Sequence, residues 1–230
     1  MQGTARLDRI GAQAAGEVKP GSVVGLGTGS TASAFVRALG DRVAGGLSIT
    51  GVATSVETEE LARSLDIPLT QLNEVDAIDL CVDGADEIAP DLNVVKGRGG
   101  ALLFEKLVAR RADRYIIIAT AEKLVDVLGT RLPLPVEIVP MGWKHTAREL
   151  ERFGLRPELR MGEDGKPFVT DGGHYIVDCQ TGGIDDPRSL ATRIKLVTGV
   201  VDHGLFIDMA DLAMTVDAEG HVTTHERTGH

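Results

Sequence analysis

The sequence is poor in aromatic residues and cysteine, and it has no long apolar run. Aromatic residues make up 3% of the 230 residues, too few for a platform on which nucleic acid bases stack. No apolar run approaches the ~20 residues that a membrane-spanning helix needs, and the N-terminus lacks the apolar block of a secretion signal. The two cysteines, Cys81 and Cys179, lie in strand-like stretches. This position indicates buried thiols that stay reduced. These shortages favour a cytoplasmic protein without a membrane partner.

Positive charge is also in short supply. The formal net charge is −10, whereas a protein that binds the phosphate backbone of nucleic acids needs clustered lysine and arginine. We therefore expect no nucleic acid partner. A phosphorylated small molecule stays possible, because it needs only a local cradle of donors. The sequence is 43% hydrophobic, enough for a proper core.

The apolar pattern predicts an α/β fold with a parallel sheet. Up to residue 128, helix-like and strand-like segments alternate, with strands expected at 22–26, 47–53, 78–82 and 115–120. After residues 132–140 the pattern changes to a small α+β domain. We expect a catalytic domain formed by residues 1–130 and 205–230 and a smaller domain at 131–204. The polar residues 220–230 suggest a mobile tail.

The segment GLGTGSTA, residues 25–32, lies between a predicted strand and a predicted helix. Backbone N–H groups at a glycine-rich turn and a helix N-terminus bind anions, and Thr28, Ser30 and Thr31 add hydroxyls. The segment lacks the third glycine of the dinucleotide fingerprint and the Gly-Lys-Ser/Thr of a P-loop. A purely structural turn is the alternative, but we favour phosphate binding.

The segment DGADE, residues 83–87, follows the strand that ends at Val82. Ligands of open α/β sheets bind outside the carboxyl ends of the strands, so Asp83 and Asp86 are expected to lie where a ligand would bind. Closely spaced carboxylates hold sugar hydroxyls and transfer protons. The alternatives are a solvated acidic turn and a magnesium site, which would need help from substrate oxygens.

Two further segments carry lysine and glutamate. In KGRGGALLFEK, residues 96–106, glycines let the backbone approach a ligand, and Glu105 lies near the start of a helix. We expect its apolar stripe to comprise Leu103, Phe104, Leu107 and Val108, with Glu105 off that stripe. A lone glutamate on a helix surface is ordinarily a solubility residue. In TAEKLVD, residues 120–126, Lys123 follows another predicted strand and by itself would be a surface lysine.

Together these segments resemble ribose-5-phosphate isomerases of the type A family. GLGTGSTA, VDGADEI, KGRGGALLFEK, LPLPVEIVP and GVVDHGLF stand in the family's order over nearly the whole chain. The resemblance implies a Rossmann-like, mostly parallel sheet flanked by helices, with a smaller inserted α+β domain. It also implies interconversion of D-ribose 5-phosphate and D-ribulose 5-phosphate without metal or organic cofactor, in a homodimer or homotetramer.

The resemblance also implies roles for individual residues. Glu105 matches the catalytic base, with Asp83, Asp86 and Lys96 as the other catalytic residues. The residues that match substrate-contacting stretches are Thr28, Gly29, Ser30, Thr31, Asp83, Gly84, Ala85, Asp86, Lys96, Gly97, Arg98, Gly99 and Lys123.

This sequence departs from the family pattern at some positions. It has Arg6 and Arg9 where a lysine is frequent near the phosphate, and Arg98 where some members have glycine. Two other classes fit parts of the pattern. A sugar-phosphate sensor would not need Asp83 and Glu105, and a coenzyme A transferase would use a glutamate as a covalent nucleophile.

Overall fold

The computed structural model describes residues 2–227 of the chain. Within this range the chain forms six α-helices: α1 (Gln2–Gly16), α2 (Ser30–Ala44), α3 (Val56–Ser64), α4 (Leu102–Ala109), α5 (Trp143–Glu151) and α6 (Pro187–Lys195). It also forms thirteen strands: β1 (Val23–Leu26), β2 (Thr50–Ala53), β3 (Leu80–Asp83), β4 (Glu87–Ile88), β5 (Val94–Val95), β6 (Tyr115–Thr120), β7 (Leu134–Ile138), β8 (Arg156–Leu159), β9 (Tyr175–Gln180), β10 (Val200–His203), β11 (Leu205–Phe206), β12 (Leu212–Val216) and β13 (Val222–Glu226). Short 3₁₀ turns occur at Leu72–Glu74 and Ala121–Lys123.

The chain forms two compact units, and the first contains the large sheet. This unit comprises residues 2–85, 104–123 and 209–227. Its six strands are ordered β13-β12-β6-β3-β1-β2, and all neighbours are parallel except β12 and β13. β3 and β12 are buried along their whole length, as expected for strands covered on both faces. Helices α1 and α2 pack on each other and on the strands. The predicted α/β class with a mostly parallel sheet is confirmed.

The register of this sheet brings several loops to one edge. Leu26 at the end of β1 pairs with Val82, and Asp83 at the end of β3 pairs with Ile117 of β6. Because parallel strands share one direction, the loops after β1, β3 and β6 leave the sheet at the same edge. That edge therefore carries the glycine-rich turn, the DGADE segment and the TAEKLVD segment.

The second unit comprises residues 86–103 and 124–208. It contains a four-stranded antiparallel sheet, ordered β10-β7-β9-β8, and a three-stranded antiparallel sheet, ordered β11-β5-β4. Its buried core joins β7 and β9 to α5 and α6 through residues such as Val136, Val177, Leu150 and Ile194. This is the predicted inserted α+β part. Residues 86–103 belong to it as well, so its first segment begins within DGADE. The domain boundaries at 130/131 and 204/205 stay a prediction.

The C-terminal segment differs from the expected mobile tail. Residues 222–226 form β13, which pairs antiparallel with β12 at the edge of the large sheet. The hydroxyl of Thr215 and Nε2 of His225 lie 2.8 Å apart across this pair. The strand β13, VTTHE, is mostly polar, with Val222 and His225 half-buried and its other residues exposed, as suits an edge strand. Residues 1 and 228–230 of the expected catalytic domain lie outside the described range.

Candidate active site

The turn between β1 and α2 is shaped by glycines at a close approach. A Cβ atom on Gly27 would lie 2.3 Å from Oδ1 of Asp83, so only glycine fits there without a shift. Gly29 is the N-cap of α2 and has a φ of 99°, a conformation that costs glycine little. The first turn of α2 contains Ser30 and Thr31 and no acidic residue. The positive end of the helix dipole is therefore left for an anionic ligand.

Thr28 is bound into a cluster of hydroxyl groups that the sequence did not reveal. Its backbone N–H donates to Oδ1 of Asp83 at 3.1 Å. Its hydroxyl lies 2.8 Å from the hydroxyls of both Thr54 and Ser55, and Thr58 completes the cluster. Three of these residues belong to the segment TSVET after β2, where Ser55 caps α3. The observed contacts therefore make Thr28 an anchor of the turn.

Asp83 ends β3 with its side chain fully buried. Oδ1 accepts the N–H of Thr28 and, at 2.7 Å, the N–H of Gly84. Hydrogen bonds from backbone N–H groups to a carboxylate are charge-assisted and hold it in one orientation. Asp83 therefore joins the glycine-rich turn to the start of the DGADE loop.

Glu105 lies on the buried face of α4, with 4% of its surface exposed. Leu102 and Val108 are buried with it, whereas Leu107 is 47% exposed. The predicted apolar stripe is therefore wrong at Leu107, and Glu105 is not off the buried face. Apolar periodicity places the buried face on the assumption that helices bury apolar residues. Here the helix buries both Glu105 and the neighbouring Lys106, and a buried charge is costly unless it is paired or hydrogen-bonded.

Tyr115 is the first residue of β6, the strand next to β3. It pairs with Cys81 of β3 and is 1% exposed. Burial raises the pKa of Tyr115 well above its ordinary value, and the negative charges of Asp83, Cys81 and Glu105 raise it further. The phenol therefore stays protonated, and the charges of both carboxylates act on it. Its hydroxyl forms no hydrogen bond within the described part of the chain.

Lys123 ends the 3₁₀ turn that follows β6, and its side chain is half-buried. The preceding residue, Glu122, forms a 2.8 Å ion pair with Arg6 of α1. The hydrogen bond from Arg6 lowers the pKa of Glu122 to about 2. Arg9 instead donates to the carbonyl of Gly220 at 2.8 Å. Of the two arginines that replace the expected lysine, Arg6 is therefore the one at the carboxyl edge of the sheet.

The remaining predicted residues, except Ala85 of the first unit, belong to the second unit. The carboxylate of Asp86 accepts the N–H of Arg98 at 3.0 Å, which joins the end of DGADE to KGRGG. Lys96 is 2% exposed, and its Nζ lies 5.6 Å from the centre of the Phe206 ring. Gly97, which Arg98 and Gly99 follow, has a φ of 107°.

Among residues 2–227, no three His, Cys, Asp or Glu side chains are grouped to hold a metal ion. Within the same range, no helix has the length and apolar character that crossing a membrane requires.

Comparison with known proteins assigns the family. The sequence pattern of the family Ribose 5-phosphate isomerase A (phosphoriboisomerase A) matches residues 50–220. The chain is 51% identical to Ribose-5-phosphate isomerase A of Thermomicrobium roseum over 228 residues, which are 98% of this chain and 96% of that protein. It is 50% identical to the protein of the same name from Synechococcus sp., over 98% of this chain and all of that protein. The chain belongs to the ribose 5-phosphate isomerase A family.

Solved structures of ribose 5-phosphate isomerases agree with this fold. The enzyme of Plasmodium falciparum matches with a TM-score of 0.94 and 36% identity, over 98% of this chain and 100% of that chain. A D-ribose-5-phosphate isomerase in complex with phospho-erythronic acid matches with a TM-score of 0.93 and 40% identity, over 97% of this chain and 99% of that chain. The resemblance recognised in the sequence motifs is therefore confirmed.

Buried or hydrogen-bonded carboxylates occur in both units of this member of the ribose 5-phosphate isomerase A family. In the first unit, Asp83 is hydrogen-bonded to the glycine-rich turn, and the charges of Asp83 and Glu105 both raise the pKa of Tyr115. In the second unit, Asp86 is hydrogen-bonded to the backbone of Arg98. The sequence motifs did not reveal the hydroxyl cluster or Tyr115, because these depend on which strands become neighbours.

Proposed function

We propose that the protein interconverts D-ribose 5-phosphate and D-ribulose 5-phosphate in the non-oxidative pentose phosphate pathway. The observation that carries the proposal is the buried carboxylate of Glu105, whose charge, like that of the hydrogen-bonded Asp83, raises the pKa of the buried Tyr115. A base in such a place is shielded from bulk water, which strengthens its electrostatic effect on a bound sugar. The names of the relatives, Ribose-5-phosphate isomerase A, support ribose 5-phosphate as the substrate.

The isomerisation moves one proton between neighbouring carbons of the open-chain sugar. Glu105 removes the proton from C2 of the aldose, an enediolate forms, and the carboxylic acid returns a proton to C1 of the ketose. One carboxylate on one face of the intermediate serves both carbons, because C1 and C2 are adjacent.

The phosphate group binds at the N-terminus of α2. Gly29, Ser30 and Thr31 present backbone N–H groups and hydroxyls there, and Lys123 adds a positive charge. The hydroxyl of Thr28 is already bound to Thr54 and Ser55, so Thr28 supports this site by fixing the turn. These contacts form with substrate and transition state alike, and they determine affinity more than turnover.

The remaining residues act on the sugar. Asp83, with Gly84 and Ala85 beside it, assists ring opening by proton transfer, and Asp86 orients hydroxyl groups. Lys96 stabilises the negative charge that develops on oxygen in the enediolate. The backbone of Gly97, Arg98 and Gly99 contacts the substrate.

A lysine that stabilises the enediolate removes the need for a magnesium ion. We therefore propose a reaction without metal or organic cofactor. We also propose a cytoplasmic location, where the free thiols of Cys81 and Cys179 stay reduced. A homodimer or homotetramer is the proposed assembly, as in the sequence-based expectation.

The decisive experiment replaces Glu105 by glutamine, which keeps the shape but cannot accept the proton. We expect kcat to fall by about 10²–10⁴-fold, with calorimetric binding of phospho-erythronic acid changed by less than about threefold, since the phosphate contacts stay. Glu151→Gln, at an exposed position of α5, is the matched control and should retain full turnover. All assays are run with and without an exhaustive chelator, which should make no difference.

Each contrary result points to a different error. Near-normal turnover of Glu105→Gln would place the proton shuttle elsewhere. Wild-type protein that binds the sugar phosphate without exchanging the C2 deuterium label into water would be a sensor. A covalent adduct trapped on Glu105 would indicate transferase chemistry, and loss of activity on chelation would indicate a metal.

A further inference from the structure

Arg160 is directed at the backbone of the glycine-rich segment after Lys96. It follows β8 directly, and its Nη1 donates to the carbonyl of Gly97 at 3.0 Å and to the carbonyl of Arg98 at 2.9 Å. The two partners are 63 and 62 residues away along the chain. One side chain therefore holds two successive peptide groups of a segment that we assign to the substrate site.

The guanidinium group of Arg160 is itself fixed on its other side. Nε and Nη2 form a two-pronged ion pair with Asp178 of β9, at 2.8 and 2.6 Å. The side chain of Arg160 is only 14% exposed, and the Phe168 ring lies 5.8 Å from its Cζ. A planar guanidinium bound in this way has one orientation, which a lysine ammonium cannot reproduce.

The peptide group between Gly97 and Arg98 is held at both ends. Its carbonyl accepts from Arg160, and its N–H donates to the carboxylate of Asp86. Chains of hydrogen bonds of this kind polarise one another. Gly100 closes the turn with a φ of 86°, and a Cβ there would lie 2.5 Å from the Phe168 ring. The surroundings therefore impose the conformation of residues 97–100.

We propose that Arg160 is a positioning residue for the isomerisation, acting through residues 97–99 and the adjacent Lys96. This inference rests on the proposed function. Arg160 sets the direction of the two peptide groups after Lys96, and so the direction in which the backbone N–H groups of the turn point. It also fixes the backbone that follows β5, from which the side chain of Lys96 extends. Because Lys96 acts on charge that develops during the reaction, an error in its position lowers kcat more than affinity.

The test replaces Arg160 by lysine, which keeps the charge beside Asp178 but removes the fork. Arg156→Lys is the matched control, because Arg156 is an exposed arginine on β8, the strand that Arg160 directly follows. For Arg160→Lys we expect kcat to fall by about 10–100-fold, with KM changed by less than about threefold. We also expect amide hydrogen exchange to accelerate in a peptide covering residues 97–100, whereas the control should match the wild type in both measurements.

Three results would overturn the inference. The first is an Arg160→Lys variant whose kcat and exchange in residues 97–100 equal those of Arg156→Lys. The second is faster exchange with unchanged kcat, which would show a structural role only. The third concerns an Arg160→Lys variant that loses kcat only because it unfolds at the assay temperature. A second variant, Asp178→Asn, then decides, and the inference fails if that variant is folded and has normal kcat and normal exchange in residues 97–100. Where Asp178→Asn shows the same changes as Arg160→Lys, at smaller size, the inference is supported.

Failure of the proposed function gives a different pattern. Wild-type protein without isomerase activity refutes the proposed function, whatever the variants do. The inference about Arg160 is then judged by hydrogen exchange in residues 97–100. Unchanged exchange in Arg160→Lys would overturn it as well.

Discussion

Replacing Gly27 by alanine tests how closely the glycine-rich turn must approach Asp83. The added Cβ would lie 2.3 Å from Oδ1, 2.4 Å from Cγ and 2.5 Å from Cα of Asp83. Ordinary contacts between such atoms are about 3.5–4.0 Å long, so the two segments must separate by about 1 Å. Rotation of the Asp83 side chain does not relieve the clash, because Cα belongs to the backbone.

The expected size of the effect follows from the contacts that this separation disturbs. Overpacking of a buried site costs about 1–3 kcal/mol. The hydrogen bond from Gly27 N–H to the Val82 carbonyl, 3.0 Å long, and that from Thr28 to Asp83 both lie across the gap, at about 1 kcal/mol each. We therefore expect a loss of about 3–5 kcal/mol in the free energy of unfolding, which lowers Tm by about 6–20 °C in a chain of this size. A displacement of about 1 Å in a catalytic group also lowers kcat/KM by about 10²-fold.

The assay combines thermal and denaturant unfolding with turnover of ribose 5-phosphate below the Tm of the variant. Gly16→Ala is the control, since a Cβ at this end of α1 meets nothing within 4 Å. That control should leave turnover unchanged and alter stability by less than about 1 kcal/mol. If Gly27→Ala has wild-type stability and turnover, the contact with Asp83 is not what requires glycine here.

Two other buried groups, the hydroxyl of Tyr115 and the thiol of Cys179, give testable predictions about stability. Tyr115→Phe removes a buried hydroxyl with no hydrogen bond in the described part of the chain, so we expect unchanged stability or a gain of about 1 kcal/mol, with kcat within about threefold of wild type. A clear loss of either in Tyr115→Phe would mean that the phenol donates to a carboxylate or a bound water in solution. Burial raises the pKa of the Cys179 thiol from 9.0 to about 12, so native protein at pH 8 should not react with Ellman's reagent there, whereas unfolded protein should. Because the unfolded thiol ionises first, this group should destabilise the fold as the pH rises from about 9 to about 12, and rapid labelling of native protein would contradict the assignment.

The parts of the site that the sequence predicted are local in the chain. A strand, a glycine-rich turn and a helix follow one another within residues 23–44, and Asp83 comes at the end of a short apolar strand. Such features depend on neighbours in sequence, and the carboxyl-edge rule for parallel sheets then places their side chains. The order of the motifs along the chain was enough to recognise the family.

The parts that the sequence did not predict depend on contacts between distant segments. The helical pattern around Glu105 misled because the helix buries a carboxylate and exposes Leu107. The hydroxyl cluster joins Thr28 to Thr54, 26 residues later, and Arg160 reaches Gly97 over 63 residues. The periodicity of a sequence does not predict such contacts, because they form only when distant strands become neighbours in the fold.

The pairing of early strands with late ones has a consequence for synthesis on the ribosome. β5 pairs with β11, at residues 205–206, and the apolar strand β6 has β12, at residues 212–216, as a neighbour. Neither sheet is complete until the C-terminal segment has left the exit tunnel. Until then, Ile116, Ile117 and Ile118 of β6 have an open strand edge, which other chains can pair with. Non-local pairing of this kind slows folding, so the nascent enzyme depends on protection from aggregation until its last strands emerge.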